Sequence, residues 1–82
     1  SSGHILGLRA VNNFQVDQYW KDGRLQLAVI RSGSGKPCPV FYPGIGRYHV
    51  YGPDGLPLQG VSVGADTLLI PTEPGCTYTI RP

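Results

Sequence analysis

The sequence predicts an all-β fold, a small β-sandwich of about seven short antiparallel strands. Three observations predict it. Short apolar runs alternate with period two, as half-buried strands do. Gly 12 and Pro 8, about a quarter of the 82 residues, fall between those runs as turn signals roughly every 8–12 residues. No segment of helical length shows a period of 3.6.

The clearest element is a hairpin over residues 14–31. Two alternating runs meet at Asp22-Gly23, a dipeptide suited to a type I′ turn. A two-residue loop pairs Lys21 with Arg24 and Trp20 with Leu25. Uninterrupted pairing then sets Gln18 opposite Leu27, Val16 opposite Val29 and Phe14 opposite Arg31. Phe14, Val16, Trp20, Leu25, Leu27 and Val29 share one face, which is expected to turn to the core. Gln15, Asp17, Tyr19, Gln26, Ala28 and Ile30 share the other. The single Trp20 is accordingly expected inside.

The other elements follow in chain order. Ser1-Ser2-Gly3 has the composition of a tag remnant or linker, and residues 1–4 are set apart from a single domain over 5–82. Leu6, Leu8 and Ala10 alternate in a first strand over 5–11, and Asn12-Asn13 is a turn. Ser32-Gly33-Ser34-Gly35-Lys36-Pro37 is a flexible loop by composition. A strand over 39–42 leads to a turn at 43–46. A second hairpin spans 47–63, with Pro53-Asp54-Gly55 as a turn ending in a left-handed Gly. Its return arm holds Pro57, which donates no ladder hydrogen bond and marks an edge. Residues 64–66 turn, 67–70 form an apolar strand, and 76–80 close the domain with Cys76, Tyr78 and Ile80 on one face.

A formal charge of +2 from scattered basic residues gives no nucleic-acid footprint. No apolar run approaches the ~20 residues that span a bilayer. The absence of Met from a chain opening on Ser suggests a piece of a longer polypeptide.

Chemistry is sparse. Asp22 and Asp54 are turn residues, Asp66 and Glu73 flank turns, and only Asp17 lies mid-strand, so no catalytic carboxylate pair is expected. Gly33-Ser34-Gly35-Lys36 fails as a phosphate loop because Pro37 follows the lysine. No zinc-ligand spacing occurs, and no cofactor is expected. Cys38 and Cys76 admit two readings. They are two small buried hydrophobes, or a disulfide closing a loop of about 38 residues and adding roughly 3–4 kcal/mol. Tyr19, Tyr48 and Tyr51 are the aromatic candidates for carbohydrate stacking; docking against a neighbouring domain is the competing use of such side chains.

A family resemblance rests on Gly7-Leu8-Arg9-Ala10, Phe14-x-Val16-Asp17 and Trp20-Lys21-Asp22-Gly23-Arg24-Leu25. It continues through Ile30-Arg31-Ser32 and Pro37-Cys38-x-Val40, and closes with Pro74-Gly75-x-Thr77-Tyr78. Together these resemble the C-terminal β-domain of glycoside hydrolase family 95, the large inverting α-L-fucosidases. The likeness covers residues 5–42 and 72–80. Val11-Asn12-Asn13 stands where the family usually carries Arg-Gly-Gly, and residues 43–71 show no counterpart.

The resemblance implies that catalysis belongs to an (α/α)₆ barrel upstream, so no catalytic residue carries over to this chain. It further implies an accessory domain whose partner is the catalytic domain of its parent hydrolase. A carbohydrate-binding module taking a fucosylated glycan is the first alternative. A bacterial surface adhesion or assembly domain, associating at the edge near Pro57, is the second.

Overall fold

The computed structural model describes residues 9–10 and 14–82. Among the described residues eight strands form two four-stranded antiparallel sheets. They are β1 (Arg9–Ala10), β2 (Phe14–Lys21), β3 (Arg24–Ser32), β4 (Cys38–Phe41), β5 (His49–Tyr51), β6 (Ser62–Val63), β7 (Thr67–Ile70) and β8 (Thr77–Arg81). One sheet has the order β1-β4-β7-β6 and the other β2-β3-β8-β5. The expected sandwich of about seven strands is present, with two of its eight strands only two residues long. The turn expected at Asn12-Asn13 and most of the first strand lie outside the described residues.

The core lies between the sheets. Leu25, Ala28 and Ile30 of β3, Val50 of β5, and Tyr78 and Ile80 of β8 meet Cys38 and Val40 of β4 and Leu68 and Ile70 of β7. Ile45, in a single 3₁₀ turn over Ile45–Arg47, completes it. Alternation drives the arrangement: β7 reads exposed-buried-exposed-buried, and β8 buries Tyr78 and Ile80 between outward threonines.

The hairpin turn is type I′, with Asp22 at φ 53° and Gly23 at φ 75°. Lys21 pairs with Arg24 and Trp20 with Leu25, as expected. The next pair is Tyr19 with Leu27, so Gln26 is an extra residue on β3, a β-bulge. The bulge overturns the rest of the expected register. Gln18 faces Ala28, Val16 faces Ile30, and Phe14 faces Ser32. Beyond Gln26 the strand changes parity, so Ala28 and Ile30 are buried while Leu27 and Val29 turn outward. A slip of one residue exchanges faces because side chains alternate with period two.

Trp20 is corrected for a different reason: it keeps its expected pairing with Leu25 but lies where the hairpin runs past the core. It is 39 % exposed, near the hairpin tip, and its ring meets the edge of Tyr42 at 5.6 Å.

The second hairpin is shorter than expected. Gly55 lies at φ 81° and its N–H donates to Gly52 O at 2.9 Å, closing the predicted turn. The arms stay together only as far as a bridge between Tyr51 and Pro57 and the Leu58 N–H to Val50 O bond. Pro57 cannot extend the ladder, and the chain crosses to the other sheet, where β6 pairs with β7. The Ser32–Pro37 connection, expected to be loose from its composition, is held by bonds at Ser32. Ser32 N–H donates to Cys76 O, and Gly75 N–H to Ser32 O, each at 2.9 Å.

Candidate functional site

Strand order decides which of the aromatic candidates can act together. β2 and β5 are the two edges of one sheet, so Tyr19 on β2 and Tyr51 on β5 are separated by β3 and β8. Tyr19 points outward beside Leu27 and stands apart from the other two. Tyr48 precedes β5 and Tyr51 ends it, and both line one groove of about 390 Å³ together with Pro57, Leu58, Val61 and Val63. This groove lies between the edges of the two sheets, where β5 and β6 end the strand orders.

Both rings are already engaged by the protein. Tyr48 donates its hydroxyl to Leu25 O at 2.7 Å. Its ring stands edge-on to Tyr42 at 6.2 Å, and Tyr42 in turn meets Trp20. Burial pushes the Tyr48 hydroxyl above its ordinary pKa; Tyr42 adds to the shift and Arg24 opposes it. Tyr51 carries the Arg81 guanidinium over its ring at 4.3 Å, a contact set by the pairing of His49 with Arg81 across β5 and β8. The Trp20–Tyr42–Tyr48 series bridges the hairpin tip, the end of β4 and the start of β5. Nothing in the linear order marks it, because the three rings come together only when the sheets pack.

The carboxylates hold turns. Asp66 Oδ1 accepts the Gly44 N–H at 2.9 Å, tying the β6–β7 turn to the start of the 3₁₀ turn. Asp54 Oδ1 accepts the Leu56 N–H at 3.0 Å inside the second hairpin. Asp22 occupies the type I′ turn, and Asp17 faces outward on β2. Glu73 contributes its backbone N–H to the Tyr78 hydroxyl at 2.8 Å. That hydroxyl is pushed up in pKa chiefly by burial, with the Glu73 N–H partly offsetting it.

Cys38 and Cys76 are free thiols rather than a disulfide. Cys38 lies on β4 facing the core, opposite Ile70, and burial pushes its thiol up to about 11. Cys76 is half-buried at the entry to β8 on the other sheet. Among the described residues no group of three or more His, Cys, Asp or Glu could hold a metal ion. Among them, too, no helix is long and apolar enough to cross a membrane.

The family model described as "Glycoside hydrolase family 95, C-terminal domain" matches residues 1–80. The match runs through residues 43–71, for which the sequence motifs alone show no counterpart. No curated protein and no solved structure matches the chain.

Proposed function

Because the chain belongs to the glycoside hydrolase family 95 C-terminal domain family, we propose that it is a non-catalytic accessory domain. In this reading it packs on the catalytic domain of a hydrolase resembling an α-L-fucosidase and stabilises it. The family match over residues 1–80 carries the proposal. The use of Asp54 and Asp66 to fix turns supports it, since a carboxylate that accepts a backbone N–H to hold a loop is poorly placed for proton transfer. The test is a fucoside hydrolysis assay on the 82-residue chain. No turnover above buffer is expected, and appreciable turnover overturns the non-catalytic role. Removal of the domain from the longer hydrolase is expected to lower its melting temperature; an unchanged melt overturns the stabilising role.

One observation favours a second reading, a weak carbohydrate site: Tyr48 and Tyr51 line the same groove. Aromatic rings beside a shallow groove of mixed lining suit the apolar face and the hydroxyls of a sugar. Calorimetric titration with fucosylated glycans tests it, with Tyr51→Ala as the paired variant. Heat lost in the variant supports the site, and no heat in the millimolar range removes it.

A further inference from the structure

The open end of the β2–β3 hairpin carries a cavity of about 460 Å³, within the roughly 300–1,000 Å³ of small-ligand sites. Among the described residues its lining is Phe14 and Gln15 of β2, Arg31 and Ser32 of β3, and Gly33 and Ser34 of the connection that follows. It lies at β2, and the groove of Tyr48 and Tyr51 lies at β5, the opposite edge of the same sheet. The wall is fixed in place. Arg31 sits on a strand paired on both sides, to Gln15 of β2 and to Thr77 of β8. Ser32 is bonded through its backbone to Gly75 and Cys76, and its hydroxyl accepts the Gly35 N–H. Both ends of the Gly33-Ser34 stretch are thereby held.

The polar side chains of the lining fall into two kinds. The Ser32 hydroxyl is engaged within the protein, by Thr72 and Gly35. The Arg31 guanidinium, the Gln15 amide and the Ser34 hydroxyl have no hydrogen-bond or ion-pair partner among the described residues. No carboxylate is in the described lining. Asp17 lies opposite Val29, diagonal to Arg31 on the same face, and makes no ion pair with it. One guanidinium is a planar fork for one carboxylate. An amide and a hydroxyl both donate and accept, as sugar hydroxyls require. The Phe14 ring adds an apolar surface for the C–H face of a sugar. We propose that this cavity binds an acidic sugar, a uronic acid residue, with its carboxylate on Arg31 and its ring hydroxyls on Gln15 and Ser34. A phosphate group fits less well, because its charge of about −1.5 to −2 meets a single cation here. This binding requires no packing against a catalytic domain.

Titration of the ¹⁵N-labelled 82-residue chain with galacturonate, followed by amide shifts, tests this. Saturable shifts in the millimolar range are expected at Gln15, Gly33 and Ser34. Galactose, which lacks the carboxylate, is expected to bind at least tenfold more weakly, and so is galacturonate to Arg31→Gln. Arg31 is exposed, and an unchanged melting temperature confirms that the variant folds. Arg31→Lys keeps the charge and loses the fork; several-fold weaker binding is expected, and wild-type affinity overturns the bidentate contact. No saturable shift with galacturonate overturns the site. Equal affinity for galactose overturns the carboxylate contact, and equal affinity for inorganic phosphate overturns the sugar in favour of a general anion. Shifts centred on Tyr48 and Tyr51 instead place the ligand in the other groove and overturn the proposal.

Discussion

Ser32 and Thr72, separated by 40 positions in sequence, share a buried hydroxyl–hydroxyl bond of 2.9 Å. Proton counting fixes its direction. The Thr72 hydroxyl donates to Lys36 O, and a hydroxyl has one proton, so Ser32 is the donor to Thr72 Oγ1. Ser32 Oγ then accepts the Gly35 N–H at 3.0 Å. This chain of bonds fastens the β3–β4 connection to the segment that leads into β8.

Thr72→Val removes one link while keeping the shape. It leaves the Ser32 hydroxyl without its acceptor and Lys36 O without its donor. A loss of about 1–3 kcal/mol is expected, read from the urea midpoint at unchanged slope. A neutral substitution would mean that water replaces the threonine.

Two glycines in the same backbone region separate strain from collision. Gly23 at φ +75° has open space where a side-chain methyl would sit, and Gly23→Ala is expected to cost only the left-handed penalty, about 1–2 kcal/mol. Gly35 at φ +79° would drive that methyl into Pro74 Cδ and to 2.9 Å from Pro74 N. Gly35→Ala is therefore expected to cost clearly more, and Pro74→Ala to recover part of the difference. Equal melting temperatures for the two alanine variants would contradict the close approach.

The two thiols should differ in reactivity. The thiolate is the nucleophile, and burial holds the Cys38 proton up to about 11. Alkylation of the folded protein at neutral pH is expected to reach the half-buried Cys76 first, with Cys38 modified only on unfolding; peptide mass mapping reads the order. The same shift predicts alkaline sensitivity. An unfolded thiol ionises near the ordinary 9.0 and the folded one near 11, so above about pH 9 the unfolded state holds fewer protons. Stability falls as pH rises from about 9 to 11, and the upward shifts of Tyr48 and Tyr78 act in the same direction. Cys38→Ala should flatten the lower part of that decline.

Trp20 reports its own exposure. Its fluorescence is expected to be red-shifted and readily quenched by iodide, as a ring 39 % exposed requires. Tyr42→Ala should increase the quenching and cost about 0.5–1.5 kcal/mol for the lost edge contact, beyond the area it exposes. A blue-shifted, unquenchable emission would return Trp20 to the core.

Residue order alone was enough for the local features. Asp22-Gly23 suits left-handed geometry at both positions, and Gly55 supplies it after Asp54, so those turns are written in residue type. Alternation in 76–80 put Tyr78 and Ile80 on one face, and both are buried, whereas the apolar run 67–70 did not say which of Leu68, Leu69 and Ile70 would turn outward. The run from Gly7 to Leu25 also carried the family. The packing of the two sheets settled the rest. The Gln26 bulge changes which side of β3 is buried, and period two is blind to a single inserted residue. Ser32, Cys38 and Thr72 find their surroundings through contacts between distant segments. So does the groove of Tyr48 and Tyr51, whose lining beyond residues 48–51 comes from within residues 57–63 and from Leu68 of β7 in the other sheet.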